Sequence, residues 1–537
     1  MRLPASLFLA VAVVIAAAWW WLGSPVAMPA SPLEAGEKLY CLSYAPFRGA
    51  QSPLDPTTQI DRGQIEEDLR RLSGLTDCVR TYSTQNGLDQ VPEIAARHGL
   101  KVLLGIWLGG SAEFTRRDIE VATALAKKFP ETMRAVVVGN EVLLRGEMTA
   151  ADLAATIRRV KAAVPVPVTY ADVWEFWLRN PAVYEAVDFV TIHILPYWED
   201  FPIPAASASD HVSAIRQRVT SAFPDKEVLL GEVGWPSAGR MREAALPSPA
   251  GQARVLHDVL TLAKRENFRV NLIEAFDQPW KRQLEGTVGG HWGLLDASSR
   301  TTKFAWGMPV SNHPHWALQA AGGIAFAALV FAAAYFSRRG RNNGDEQSPR
   351  VWLSIAMMAL GPGILIGWTI ENVPLESLGI GGWTRSIAFA AVALASPIVC
   401  AAMRVRDVPL PGFAGVLGGV PAGDGNWLRR AGGFLLVALT VLALQVALGL
   451  VFDPRYRDFP FAPLTSATLP FVVLLAPRFR TWRVSAGAAE KLAALTLGLS
   501  ILYIVPNETF ANWQSLWLCA ALAALALTLL RLRAAPD

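Results

Sequence analysis

Two short apolar runs, Val136-Val-Val-Gly-Asn140-Glu141-Val142 and Leu229-Leu-Gly-Glu232-Val-Gly-Trp235-Pro-Ser237, each end by presenting a glutamate. Two carboxylates delivered in that way can act as an acid/base and a nucleophile. Taken singly, a glutamate at a strand end also serves as an ion-pair partner or a helix cap, so the pair has to be judged by what surrounds it. Each run is rich in Val or Leu and carries Gly beside the Glu. That pattern suits a parallel strand buried on both faces that hands one polar side chain to its C-terminal rim, the edge where barrel enzymes build their active sites.

Eight strand candidates occur between Lys38 and Trp280, namely 39–46, 77–82, 101–107, 134–139, 166–172, 188–194, 227–231 and 269–276. Helix-like stretches lie between most of them, including 64–72, 118–129, 151–163 and 251–266, with acidic or small residues at their starts and cations toward their ends. Strands alternating with helices predict a parallel sheet, and eight such units in about 250 residues predict a closed (β/α)8 barrel. Glu141 then follows the fourth strand and Glu232 the seventh. Asn140, next to Glu141, is a candidate substrate-binding residue, although Asn at a strand end also suits a turn.

Val138-Gly-Asn-Glu-Val142 and Gly231-Glu-Val-Gly-Trp-Pro-Ser237 resemble the acid/base and nucleophile motifs of the family-17 glycoside hydrolases, enzymes that act on β-1,3-glucans. Glu274-Ala-Phe-Asp-Gln-Pro-Trp-Lys281, Glu285 and His291-Trp-Gly-Leu294 resemble that family's eighth-strand block. The likeness covers roughly residues 38 to 306, with the motifs in the family's order. One position departs: Gln278 stands where many members have Glu. The resemblance implies a TIM barrel in which Glu232 is the nucleophile and Glu141 the acid/base. Retaining cleavage needs the two carboxyl groups about 5 to 5.5 Å apart. It also implies that Glu274, Asp277, Lys281 and Glu285 line the sugar site.

Aromatic residues cluster at the predicted strand ends, and sugar rings stack on such side chains, although Trp and Tyr fill barrel cores equally well. Tyr82, Tyr170, Tyr197 and Trp235 stand at or just after C-terminal strand ends and are the substrate-binding candidates, with His193 near the same rim. No second His or Cys stands at metal-ligand spacing, so neither a metal nor another cofactor is expected.

Past residue 309 the composition turns apolar. Runs near 316–336, 351–370, 386–403, 431–452, 464–477, 491–505 and 513–530 predict seven transmembrane helices, the run at 464–477 being short and containing Pro470. Leu7 to Leu22 is another apolar stretch, and Trp19-Trp20-Trp21 near its end reads as an interfacial belt, which favours an uncleaved anchor over a signal peptide. The expected organisation is an anchor over 1–23, a linker over 24–37, the barrel over 38–308 and an all-α membrane domain over 309–537.

The predicted inner loops carry Arg338, Arg339, Arg341, Arg350, Arg404, Arg406, Arg429, Arg430, Arg478, Arg480, Arg483, Lys491, Arg531 and Arg533, and the outer ones only Arg385, Arg455 and Arg457. The positive-inside rule then puts the barrel outside a cytoplasmic membrane, facing periplasm or exterior. After residue 310 there are 17 Lys and Arg against 11 Asp and Glu, leaving 32 against 34 before it. The basic excess therefore belongs to membrane loops, and nothing supports nucleic-acid binding.

Cys41 and Cys78 fall on the first two strands, where adjacent parallel strands rarely offer disulfide geometry, so two buried thiols are expected. Gly412 to Gly425 reads as loop. The expected partners are a β-glucan, the lipid bilayer and a membrane glucan synthase, and membrane-bound bacterial members of the family are associated with making and remodelling β-(1,3),(1,6)-glucans. The rival classes are a hydrolase tethered to the membrane, a glucan exporter and a non-catalytic binding barrel. The apolar runs hold no ionisable residue away from their ends, which weakens the exporter. The presence of both glutamates weakens the binding barrel.

Overall fold

The computed structural model describes residues 2–338, 348–418, 427–476 and 486–532. Eight parallel strands close on themselves in sequence order: β1 (Cys41–Ser43), β2 (Cys78–Arg80), β3 (Lys101–Ile106), β4 (Met133–Asn140), β5 (Val168–Val173), β6 (Val190–His193), β7 (Val228–Val233) and β8 (Val270–Leu272), with β8 pairing back to β1. All eight expected strands form. Some are shorter than their apolar runs because ladder bonds continue singly at their ends, as where Leu39 N–H meets the Leu75 carbonyl and Tyr44 N–H the Arg80 carbonyl.

The crossover helices start and stop for local reasons. Asp61, Thr149 and Ser248 each accept a backbone N–H three residues on, capping the helices Arg62–Leu72, Ala150–Lys161 and Pro249–Glu266. Each of the three carries cations in its last turn, where the helix dipole favours them.

The barrel interior changes character along its axis. At the N-terminal end Cys41, Cys78, Leu103, Ala135, Val137, Ala171 and Leu229 form a separate apolar cluster. One step toward the C-terminal rim the buried residues are polar: Ser43, Arg80, His193 and Asn271.

Contrary to the expectation of free thiols, Cys41 and Cys78 form a disulfide. The register pairs Leu42 with Val79, which puts the two cysteines opposite one another with Cα atoms 4.3 Å apart. Both belong to the cluster inside the barrel, so the register of these two neighbouring strands brings the sulfurs together. Cys400 and Cys519 are free and buried.

The chain divides into two compact units, one of residues 26–239 and 244–310 containing the barrel, the other of 1–25, 240–243 and 311–537. In the helical unit seven helices among the described residues are long and apolar enough to cross a membrane: Leu3–Leu22, Trp316–Arg338, Pro349–Glu376, Gly379–Arg406, Trp427–Phe452, Ala488–Glu508 and Trp513–Leu530. Six of the seven apolar runs read as spans after the barrel form helices of that length. The remaining run forms Phe461–Leu475, a helix of 15 residues, about 22 Å long against a hydrocarbon core of about 30 Å. Trp19 is buried, against His313 and Trp368, whereas Trp20 and Trp21 are exposed. Within the glycine-rich stretch read as loop, Phe413–Leu417 is helical, and residues 419–425 lie outside the described residues. So do Arg339, Arg341, Arg478, Arg480, Arg483 and Arg533 of the charge pattern.

Candidate active site

The Gly-Asn-Glu sequence at the end of β4 folds as a break in the ladder. Register with β5 shifts between Val137 and Asn140. Gly139 has φ +90° and Glu141 φ +53°, the left-handed region that a residue other than glycine enters at a cost. A Cβ at position 139 would lie 2.7 Å from Val142 Cγ2. Only glycine fits there. The bulge re-aims the two residues after it, and Glu141 is fixed by its N–H to the Ala171 carbonyl at 2.8 Å and by its own carbonyl accepting from Arg145 N–H at 2.9 Å.

Glu232 lies within β7 and pairs in register with His193 of β6, again where the ladder shifts. Its Oε1 accepts from the Tyr82 hydroxyl at 2.8 Å and from Arg80 at 3.3 Å. Arg80 is buried inside the barrel. Its guanidinium also donates to the Gly231 carbonyl at 2.7 Å and to Asn140 Oδ1 at 2.6 Å, and stands 3.3 Å from His193 Nε2. Since Arg only donates, Asn140 must face it with oxygen, which turns the amide nitrogen of Asn140 the other way. Ser43 Oγ, 2.9 Å from the Tyr82 hydroxyl, accepts from Asn271 at 2.8 Å.

His193 Nδ1 lies 2.8 Å from Glu141 Oε1 and its Nε2 3.6 Å from Glu232 Oε1. One donor atom from each of Glu141, His193 and Glu232 falls within 4.8 Å of the others. That clustering could suggest a metal cage, but the Arg80 guanidinium already supplies the positive charge at these groups. Desolvation acts to raise the Glu141 carboxyl, and the hydrogen bond and electrostatic attraction of His193, with the charges of Arg145 and Arg80, outweigh it, holding the group below the ordinary carboxylate range.

Beside this pair lies a second set from the β8 end. Lys281 Nζ bonds both oxygens of buried Glu274 at 2.9 Å, yet desolvation keeps Glu274 pushed up to about 7. Glu285 is raised too, first by burial, with Lys281 opposing and with Glu141 and Glu232 adding to the rise. Asp277 is committed elsewhere: its Oδ1 accepts from Gly293 N–H at 2.8 Å and Lys303 at 2.7 Å.

Of the residues singled out from sequence, Asn140, Glu141, His193, Glu232 and Tyr82 converge, with Glu274, Lys281 and Glu285 alongside. Tyr170, Tyr197 and Trp235 do not take the place expected of them. All three are fully buried. Tyr170 bonds Asp172 and receives Leu143 N–H, Trp235 donates to the Leu246 carbonyl at 3.2 Å, and Tyr197 packs against Trp198, Trp235 and Trp292. All three belong to the main apolar core of the barrel unit, Tyr170 packing against Trp177. Trp107, Trp198 and Trp280 keep partial exposure. Gln278 is also structural: it donates to the Ala45 and Phe276 carbonyls and accepts from Trp280, so the amide is satisfied in place. Arg80 was missed by the sequence reading. The signal was available, since it stands two residues before Tyr82 and so shares its strand face, and an Arg inside an apolar strand needs buried partners.

Residues 41–293 match the family model described as the BtgE/BtgC glycoside hydrolase domain. This stretch is similar to the family-17 glycoside hydrolases. Similar curated proteins include a glucan 1,3-beta-glucosidase of Candida albicans, 29% identical over 274 residues that cover 47% of this chain and 88% of the relative. A glucan 1,3-beta-glucosidase of Saccharomyces cerevisiae is 27% identical, with 43% and 82% covered. Among solved structures, the family-17 beta-1,3-glucanosyltransferase of Rhizomucor miehei is similar at 27% identity, with 49% of this chain and 95% of that chain covered and a TM-score of 0.44.

Proposed function

We propose that this protein is a membrane-tethered, retaining β-1,3-glucan-active enzyme that transfers glucan chains, with Glu232 as nucleophile and Glu141 as acid/base. The observation that carries the reading is the convergence of these two carboxylates across the β4 and β7 ends, one oxygen of each within 4.8 Å. Such a separation leaves no room for the intervening water of an inverting route.

In the first step Glu232 bonds to the anomeric carbon while the bond to the leaving sugar oxygen breaks and Glu141 gives that oxygen its proton. Glu232 Oε1 is held by Tyr82 and Arg80, which leaves Oε2 for attack. In the second step Glu141 takes the proton of an incoming hydroxyl, whose oxygen displaces Glu232 from the sugar. The amide nitrogen of Asn140, turned away from Arg80, is set to bond the hydroxyl beside the reacting carbon. Water and a sugar compete as acceptor. Trp198 and Trp280, partly exposed at the β6 and β8 ends, supply rings on which an acceptor glucan can stack and outcompete water by proximity.

The seven long apolar helices and the arginine asymmetry support placement in a cytoplasmic membrane with the barrel outside. The packing of Ile15 and Trp19 into the helical unit's core supports a retained N-terminal anchor. Synthesis or remodelling of β-(1,3),(1,6)-glucans, beside a membrane glucan synthase, is the role that the resemblance to membrane-bound bacterial members of the family implies for such a placement. Purified full-length protein given laminari-oligosaccharides at millimolar levels should yield chains longer or more branched than the donor, with little free glucose. Products only shorter than the donor at every concentration would leave a tethered glucanase. Reporter fusions in 337–350 and at the C-terminus should read as cytoplasmic, and one within 240–248 as exported, with a cytoplasmic signal from the last overturning the placement.

A further inference from the structure

We propose that His193 is the positioning residue of the acid/base: as the Nδ1–H tautomer it holds the Glu141 carboxylate in its ionised, acceptor-activating form. This rests on the assignment of Glu141 as acid/base.

The tautomer follows from Arg80. His193 Nε2 stands 3.3 Å from Arg80 Nη1, and a guanidinium has no lone pair to offer. Nε2 therefore accepts, and the ring hydrogen is left on Nδ1, 2.8 Å from Glu141 Oε1. Arg80 itself is fixed by the Gly231 carbonyl and Asn140 Oδ1, so the choice of tautomer is built into the barrel interior.

The ring is also held in place. A Cβ at Gly231 would sit 2.4 Å from Thr191 Cγ2, 3.2 Å from His193 Cδ2 and 3.4 Å from His193 Nε2. The glycine before the nucleophile thus makes room for the ring. His193 is buried, so water does not compete for Nδ1–H. The other charged or titratable groups acting on Glu141 and His193 are Arg80 of β2, Arg145 after β4, Asp172 of β5, Glu232 of β7 and Glu285 after β8. None of these gives Glu141 a direct side-chain hydrogen bond among the described residues, whereas His193 does.

A hydrogen bond to the ionised carboxylate favours that form, so its loss must move the Glu141 titration upward. The test uses the full-length protein with His193→Leu and His193→Gln, which remove the donor at the Nδ1 position, and His193→Asn, whose amide nitrogen replaces it. Two pH profiles are read: kcat/KM on laminari-oligosaccharides, whose alkaline limb reports protonated Glu141, and kcat on an aryl donor with a good leaving group, whose acidic limb reports Glu141 as base.

Leu and Gln should move both limbs up by about one pH unit, cutting aryl-donor turnover at acidic pH about tenfold, while Asn leaves both where the wild type has them. Gln serves if the Leu variant does not fold. Rates lowered equally at all pH with the limbs unmoved would overturn the assignment and leave a packing role. A wild type inactive on both donors would overturn the glycosidase reading and this inference with it, whereas an active wild type with unmoved limbs in the variants overturns the inference alone.

Discussion

Glu141 and Glu232 perform complementary halves of one proposed reaction but are supported by opposite kinds of structure. Glu232 lies inside a strand with a side chain 6% exposed, against Arg80 and Tyr82 of β2. Glu141 lies one residue beyond its strand on left-handed backbone, with a side chain 23% exposed and held through His193. The nucleophile must approach one carbon along one line, which rigid burial secures. The acid/base serves a leaving group, then an acceptor, and the rim gives both access.

The largest test of that division removes each carboxylate. Glu232→Gln should abolish cleavage and transfer together, by roughly 10⁵-fold or more, since no covalent intermediate can form. Glu141→Ala should lose about 10²- to 10⁴-fold on natural donors, yet still turn over a donor with a very good leaving group and respond to azide. Identical behaviour of the two variants on the activated donor would break the role assignment.

Arg80→Met comes next. It leaves Glu232 and Asn140 without their buried cation, and breaking such a pair costs about 3 to 5 kcal/mol. A melting curve should fall accordingly, with activity on the activated donor lost as well because the nucleophile loses its support. A variant as stable and active as the wild type would show that burial alone holds Glu232.

The β8 carboxylate sharpens the comparison from outside the pair. Glu274 is pushed up to about 7 by desolvation, so the folded state binds its proton more tightly than the unfolded state does. The resulting stability is complete below the ordinary carboxylate value and is lost as pH rises through about 7. Melting temperature should therefore fall between pH 5 and 8, by an amount equivalent to at most roughly 3 kcal/mol, and Glu274→Gln should flatten that slope. An unchanged slope in the variant would assign the pH dependence to other groups.

Tyr82→Phe should have the smallest effect. It removes one of the bonds to Glu232 Oε1, worth about 1 to 2 kcal/mol, so kcat should fall about tenfold with KM little changed. A loss as large as that of Arg80→Met would mean that the phenol, and not the guanidinium, fixes the nucleophile.

By itself the sequence determined the alternation of strands and helices, the closed barrel, the two glutamates at β4 and β7 and most of the long apolar helices. Each of these is written in local periodicity, in capping residues and in short motifs, and a strand's rim position follows from where its apolar run stops. Tertiary structure decided the rest. Whether Tyr170, Tyr197 and Trp235 face a ligand depends on the core packing around them, as where Tyr197 meets Trp235 and Trp292, and an aromatic residue at a strand end looks the same in either case. Cys41 and Cys78 bond because the register of β1 with β2 sets them side by side inside the barrel, and that register is not written in either strand alone. Arg80 reaches Asn140, His193 and Glu232 across the lumen, and the tautomer of His193 follows from that reach. Such contacts join residues far apart in the chain, and no window of sequence contains the pair.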